Sequence, residues 1–570
     1  MVKPIVLNNL GKGLNLYDPA SEIQPGQMVG GANLLFSHGL MKTPFGFAKL
    51  GEEDLPLDSG RPILALYQYR EQSANPTDHL IAATTQKLYR RDAVSDGWND
   101  ISPSSALRSS ADSIPSFAAI PHKDGIAADG DGDKQYYHVL YCDGGNSPIY
   151  RWAGKFEDNF AELAGADGYH ETDVDPATPT AHYARQVAVF YNHVILLSPK
   201  TWDATSDVFT ENPQTVLWGK AGLLEGEDAY AIAETGAGEV PLVDTGDENV
   251  WCQLIGDALA VYQKHSIWVI YHVGGGDIFR AQALIPNIGL LSPSLILPYR
   301  NQHFLLGSDY AIYAYFGGTS YQAVGDKTIR DALAADMDPG KINRCRMCMG
   351  SNGSRLWLFI VRNGYDFATR AYGVDLRTGA WMMRDYEHKW PSGGITAATL
   401  AGTSIEQSGR TWQEDIDTGQ TYTEAISAGT TWEQLTRTVL VQETMALGDN
   451  SGYAYQYDED LTTDDSVEIP ASGITQIFDF GRPDVAKWWG PLSIEATGTA
   501  LQVFYRIEDF ETTDDGWIAM ERTLLTDDYE TYEFGLEDVC STHIQFKIAN
   551  FHGSDLAARK LVLAPPTALG

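Results

Sequence analysis

Five cysteines are few for 570 residues, and they are scattered: Cys142, Cys252, Cys345, Cys348 and Cys540. An odd, dispersed set does not describe a disulfide framework, and it fits a chain made in a reducing cytoplasm. The one close pair, Cys345 and Cys348, has no second pair and no neighbouring histidine, so a zinc site is not expected. Basic residues are also scarce, 40 against 76 acidic, for a formal net charge of −36. Such a surface repels phosphate backbones and anionic lipid, which argues against binding nucleic acid by charge neutralisation. No run of about 18 apolar residues occurs, and "MVKPIVLNNLGKG" lacks the apolar core of a signal peptide, so no membrane span is expected. Catalytic signatures are missing as well. No G-x-S-x-G elbow, phosphate-binding loop, HExxH or strand-linked G-x-G-x-x-G is present, and "VGDKT" (324–328) has its preceding glycines at the wrong distance. The 13 histidines are dispersed.

What is present is aromatic and glycine-rich: 14 Trp, 29 Tyr and 55 Gly. Aromatics favour strands and glycine permits tight turns, so the chain reads as all-β. From about residue 60 one pattern recurs, a short apolar strand, a polar turn, an aromatic pair and a polar loop. Its copies are 79–102, 138–163, 257–275, 303–325, 355–386 and 443–460, with an opening strand of another at 192–203. "LAVYQKHSIWVIY" alternates about a short polar turn as a hairpin does, and "VDLRTGAW" puts Thr378-Gly379 where a positive φ is needed. Units begin about 40 to 65 residues apart, a spacing that suits propeller blades, six to eight of them. Consecutive β-sandwiches are the competing arrangement.

The organisation expected is therefore an N-terminal extended arm and docking segment (1–59), a β-propeller (60–470) and a C-terminal β-sandwich (471–570). A polar insertion at 402–440 repeats "TW" at 411–412 and 431–432. In the tail, Leu501, Val503 and Tyr505 alternate with Gln502, Phe504 and Arg506, the period of a half-buried strand. Residues 451–540 hold about twenty acids against four basic residues. The most tempting ligand set is "DGDGD", in which Asp129, Asp131 and Asp133 could reach one hard cation. An EF-hand loop would need Gly and Glu where Lys134 and Leu140 stand, so a solvated loop is the preferred reading and calcium a weak candidate. "SDGW" (95–98) and "TDDGW" (513–517) are near misses to the Asp-boxes of sialidase-type propellers. No carboxylate pair at glycosidase spacing can be nominated. The expectation is a protein with no catalytic residues and no cofactor.

"GLNLYDPASEIQPGQMVGGANLLFSHGLMKTPFGF" resembles the start of tail nozzle or tail hub proteins of short-tailed bacteriophages, with Lys42 at the basic position and Thr43-Pro44 before Gly46. Residues 261–333, with Gly289 to Ser292 ahead of a strand, "LLGSDY" and "VGDKTIRD", look like blade sequence of the same proteins. So do the "TW" repeats and "FDFGRPDVAKWW". The resemblance implies a structural protein of the virion tail, made in the host cytoplasm. It implies a homo-oligomer, six copies closing the DNA exit channel, contacting an adaptor above and fibres. Genome DNA would pass through without tight binding. Gly31 to Leu50 would be an arm leading into the first blade and packing on a neighbour or on the last blade, anchored by Phe36, Phe45 and Phe47. A glycan-binding or glycan-degrading propeller is the alternative.

Overall fold

The computed structural model describes residues 3–51, 56–70, 78–91, 97–122, 136–153, 159–163, 183–203, 208–224, 230, 236–275, 277–324, 326–406, 439–507, 516–551 and 553–568. The chain is all-β, with one α-helix, Asp326–Asp336, among the described residues. No described helix is long and apolar enough to cross a membrane.

Between residues 63 and 458 the chain builds seven antiparallel sheets; the first six are meanders of four strands in sequence order, the third with an extra strand, Val208–Glu211, on its second, and the seventh draws three strands from this stretch. The fourth is the most regular: Asn249–Ile255, Ala258–Gln263, Ser266–His272 and Phe279–Pro286. Its middle strands are buried on both faces, so their sequence "ALAVYQ…SIWVI" is nearly continuous apolar. The turn between them is Lys264-His265, the short polar turn expected from the pattern. In the sixth sheet, Gly379 takes φ 71° in the turn between Arg370–Asp375 and Trp381–Asp385.

The sheets touch in cyclic order through their first strands. Tyr67 of the first stacks on Phe117 of the second with ring centroids 4.8 Å apart. The strands Ser116–His122, Ala184–Phe190 and Asn249–Ile255 carry contact from the second sheet to the fourth. His303 of the fifth sheet meets the Tyr262 hydroxyl (2.5 Å) and the Leu254 carbonyl (2.8 Å) of the fourth. Ile296–Tyr299, Arg346–Met349 and Ile395–Glu406 link the fifth, sixth and seventh. The cycle closes where Ile395–Glu406 packs on Ile63–Arg70 and the Thr396 hydroxyl donates to the Ile63 carbonyl at 2.5 Å.

The seventh sheet takes its fourth strand from the other end of the chain. Gly46–Lys49 pairs antiparallel with Ala454–Asp458, beside the first three strands Ile395–Glu406, Val439–Asp449 and Ala454–Asp458. Gly46 is required there, because a Cβ would lie 1.8 Å from the Thr463 carbonyl oxygen. Phe47 is fully buried, stacked on Trp390 (5.5 Å) and edge-on to Tyr455 and Tyr457.

The remaining leader belongs to the C-terminal sandwich, two six-stranded sheets that share one core. Ile5–Leu7 and the hairpin Leu35–Ser37/Leu40–Lys42 join Leu556–Leu563 in one sheet. Gly30–Ala32 extends the other through Ser472–Ile474. Phe36 is buried in that core, and Phe45 packs partly buried beside it. In Ala500–Arg506, Leu501 and Val503 point inward as the alternation requires, while Arg506 is also buried, donating to Gln545 at 2.8 Å. The insertion lies at the tip of the hairpin Ile395–Glu406/Val439–Asp449, and its two "TW" dipeptides fall outside the described residues.

Between the sixth and seventh sheets, Arg384 reaches Asp464 of the short strand Thr463–Asp464 at 2.5 Å, and both are almost wholly buried. Arg384 also donates to the Phe45 carbonyl and lies over the rings of Tyr386 and Tyr457. His388 Nε2 completes the cluster 2.9 Å from Asp464. A buried charge is tolerated only when paired and hydrogen-bonded, and here each is.

Candidate functional site: the two ends of the sheet cycle

A strand meander has two ends, and each collects a different set of turns. At one end lie the segments that enter the first strands and the turns between second and third strands. Here the first strands of the third and fourth sheets, with turns and the segments entering the second, fifth and sixth, line an open cavity of about 430 Å³. The segment before Ser116–His122 brings Asp112, and the segment before Arg346–Met349 brings Asn343. The strands Ala184–Phe190 and Asn249–Ile255 bring Arg185 and Trp251, and the turn after Ala258–Gln263 brings Lys264.

Charges at this end are paired across the cycle. Arg344 of the sixth sheet grips Asp112 of the second with two bonds, 2.6 and 3.2 Å, and this pairing raises the Arg344 pKa. Arg185 pairs with Glu211 at 2.8 Å, and Lys264 lies 3.5 Å from Glu248. Asp143, fully buried, accepts from the Asn146 and Ser147 amides and the Ser109 hydroxyl, the pattern of an Asx turn. Arg346 is the exception. Its buried guanidinium donates to the backbone carbonyls of Asn343, Cys345 and Leu64, and burial lowers its pKa to about 10.

At the other end lie the turns between first and second strands and between third and fourth. Here Tyr191, Leu254, Tyr271, Val273 and Phe316 are each between 37% and 52% exposed. They run over three consecutive sheets: Tyr191 stacks on His272 at 4.4 Å, and the Leu254 carbonyl accepts from His303. Beneath them His303 is buried between Tyr262 and that carbonyl, and burial pulls its pKa down to about 4.

The sequence-nominated groups come out as follows. Asp129, Asp131 and Asp133 lie outside the described residues, and the near-miss boxes at 95–98 and 513–517 lie partly outside them. Cys345 and Cys348 are buried with different partners: the Val361 amide donates to the Cys345 sulfur, whereas the Cys348 thiol donates to the Met349 carbonyl. Burial raises the Cys345 thiol to about 11 and Cys348 further, so both stay protonated at neutral pH. Among the described residues no three His, Cys, Asp or Glu are grouped as a metal would need. The cavity residues were not visible as a set in the sequence. Asp112 and Arg344 stand 232 positions apart, and neither belongs to a local motif.

No family model matches the chain, and no curated protein matches it. Among solved structures, the chain is similar to YCF48 bound to a D1 peptide, at 12% identity over 61% of this chain and 92% of that one, TM-score 0.30. A copper-bound fungal alcohol oxidase aligns over 92% of this chain and 99% of its own at 8% identity, TM-score 0.26. The C-terminal domain of a chitobiase from Bacteroides fragilis aligns over 18% of this chain and 66% of that one at 12% identity, TM-score 0.13.

Proposed function

We propose that the seven sheets are the blades of a β-propeller and that the protein is a structural, ring-forming component of a short-tailed bacteriophage tail, at the nozzle or hub. The reading starts from the resemblance of the leader and of residues 261–333 to such proteins. The observation that carries it furthest is the exposed apolar end on the third to fifth sheets. Large apolar groups clustered over three sheets are of the kind that contact with another protein covers, and in a closed homo-oligomer that protein is a second copy. The interlocked leader supports the same role. It ties sheets and sandwich into one body, which suits a part that must hold its shape while a genome passes. The net charge of −36 fits a channel wall from which duplex DNA is held off by like charge.

In this role the chain performs no chemistry of its own. Native mass measurement and electron microscopy of the purified protein test the proposal. Closed rings of about six copies are expected. A chain that stays monomeric at high concentration, or rings that bind duplex DNA tightly and lose it with salt, would overturn it.

A further inference from the structure

The cavity at the charged end offers a ligand very little net charge. Asp112 is held by Arg344, Arg185 by Glu211, and Lys264 by Glu248, while Asp143 is satisfied by its own turn. Neither a free anion nor a free cation would find an uncompensated partner on the wall. What the wall leaves open is neutral hydrogen-bonding capacity and one aromatic surface. The Asn146 side-chain oxygen accepts nothing, and the Asn343 amide nitrogen and the Trp251 indole N–H donate to nothing, among the described residues. Trp251 is partly buried, so its ring is fixed in place by packing while part of it faces the cavity.

We propose that this cavity binds an uncharged saccharide of one or two sugar units. Its volume of about 430 Å³ falls in the range of small-molecule sites, roughly 300–1,000 Å³. A sugar ring presents an apolar C–H face to an indole and a belt of hydroxyls that both donate and accept. Asn146, Asn343 and Trp251 are that complement: one acceptor, two donors and one flat apolar surface. The groups come from the second, fourth and sixth sheets, so the site exists only when the cycle of sheets is closed. The proposal does not depend on assembly of several chains.

The test is binding of neutral sugars to the full chain, measured by saturation-transfer NMR and titration calorimetry. The panel is glucose, galactose, rhamnose and N-acetylglucosamine with their common disaccharides, alongside inorganic phosphate and spermidine as charged controls. At least one neutral sugar should bind with a Kd of about 1 mM or tighter, and Asn343→Ala and Trp251→Ala should each weaken it about tenfold or more. Asn343 is exposed, so its variant should unfold at the wild-type temperature even if the Trp251 variant does not fold. The proposal fails if no neutral sugar saturates the protein. It also fails if phosphate or spermidine binds more tightly than any sugar, or if folded Asn343→Ala keeps full affinity. A monomeric protein that binds sugar would overturn the assembly reading alone, and a ring that binds none would overturn this inference alone.

Discussion

The two ends of the sheet cycle solve opposite problems with the same scaffold. The cavity end is knitted by ion pairs that remain partly in water, such as Arg344–Asp112, with Asp112 half exposed. The other end hides a polar knot, His303 with Tyr262, and leaves Tyr271 and Phe316 uncovered. Partly hydrated charge contributes little to stability, whereas buried polar groups are costly to disturb and exposed apolar groups invite a partner. One end is therefore suited to meeting small polar molecules, and the other to meeting protein.

The buried ion pair between the sixth and seventh sheets sets the scale against which both ends are judged. Arg384→Ala should cost about 3–5 kcal/mol, since it strands the buried Asp464 carboxylate with His388 as its remaining side-chain partner. Denaturant unfolding reads this directly, and a loss below about 1 kcal/mol would mean that water reaches the pair. At the apolar end the next largest effect depends on pH. The His303 pKa is lowered from 6.5 to about 4, so between these values the unfolded chain binds the proton and the folded chain does not. Its contribution is fully present above pH 6.5 and is lost as pH falls toward 4, by about 3 kcal/mol at most. His303→Gln should flatten that limb of the stability profile.

At the charged end, Arg344→Ala should cost under about 1 kcal/mol, and the loss should shrink further in salt. A larger, salt-independent loss would show that this end is held as the interior is. The smallest effect on stability is expected for Tyr271→Asp with Phe316→Asp, within about 0.5 kcal/mol each because the side chains are already exposed. In the proposed assembly, those substitutions should nevertheless reduce rings to monomers in native mass spectra. A ring that survives both would place the subunit contact elsewhere.

The repeat was legible from the second strand of each sheet onward. The copies at 79–102, 138–163, 257–275, 303–325, 355–386 and 443–460, with the opening strand at 192–203, each begin at or next to a second strand. The first strands were missed because they follow connections of variable length and composition: "RMCM" and "ILPY" carry no turn signal that marks their start. Those strands and their approaches line the cavity, which is why the site was illegible while the sheets were not. The leader's strands were illegible for a different reason. Its strands are three or four residues long, as Gly30–Ala32 and Gly46–Lys49 are, and periodicity cannot be read from so few positions. Their partners lie more than 400 residues away, beyond anything a local pattern encodes.

That separation also governs the order of synthesis. Ile5–Leu7 leaves the ribosome long before Leu561–Leu563 and must wait for them. Gly46–Lys49 must wait for Ala454–Asp458. During that interval the apolar leader and the edge of the growing sheets stay unpaired, available to chaperones and proteases. A chain stalled before residue 556 has no partner for Ile5–Leu7, and leaves Leu40–Lys42 with only its hairpin partner Leu35–Ser37. It cannot bury Met41 or Phe36 as the finished protein does, so truncated products expose the apolar surface by which a cell recognises and removes them.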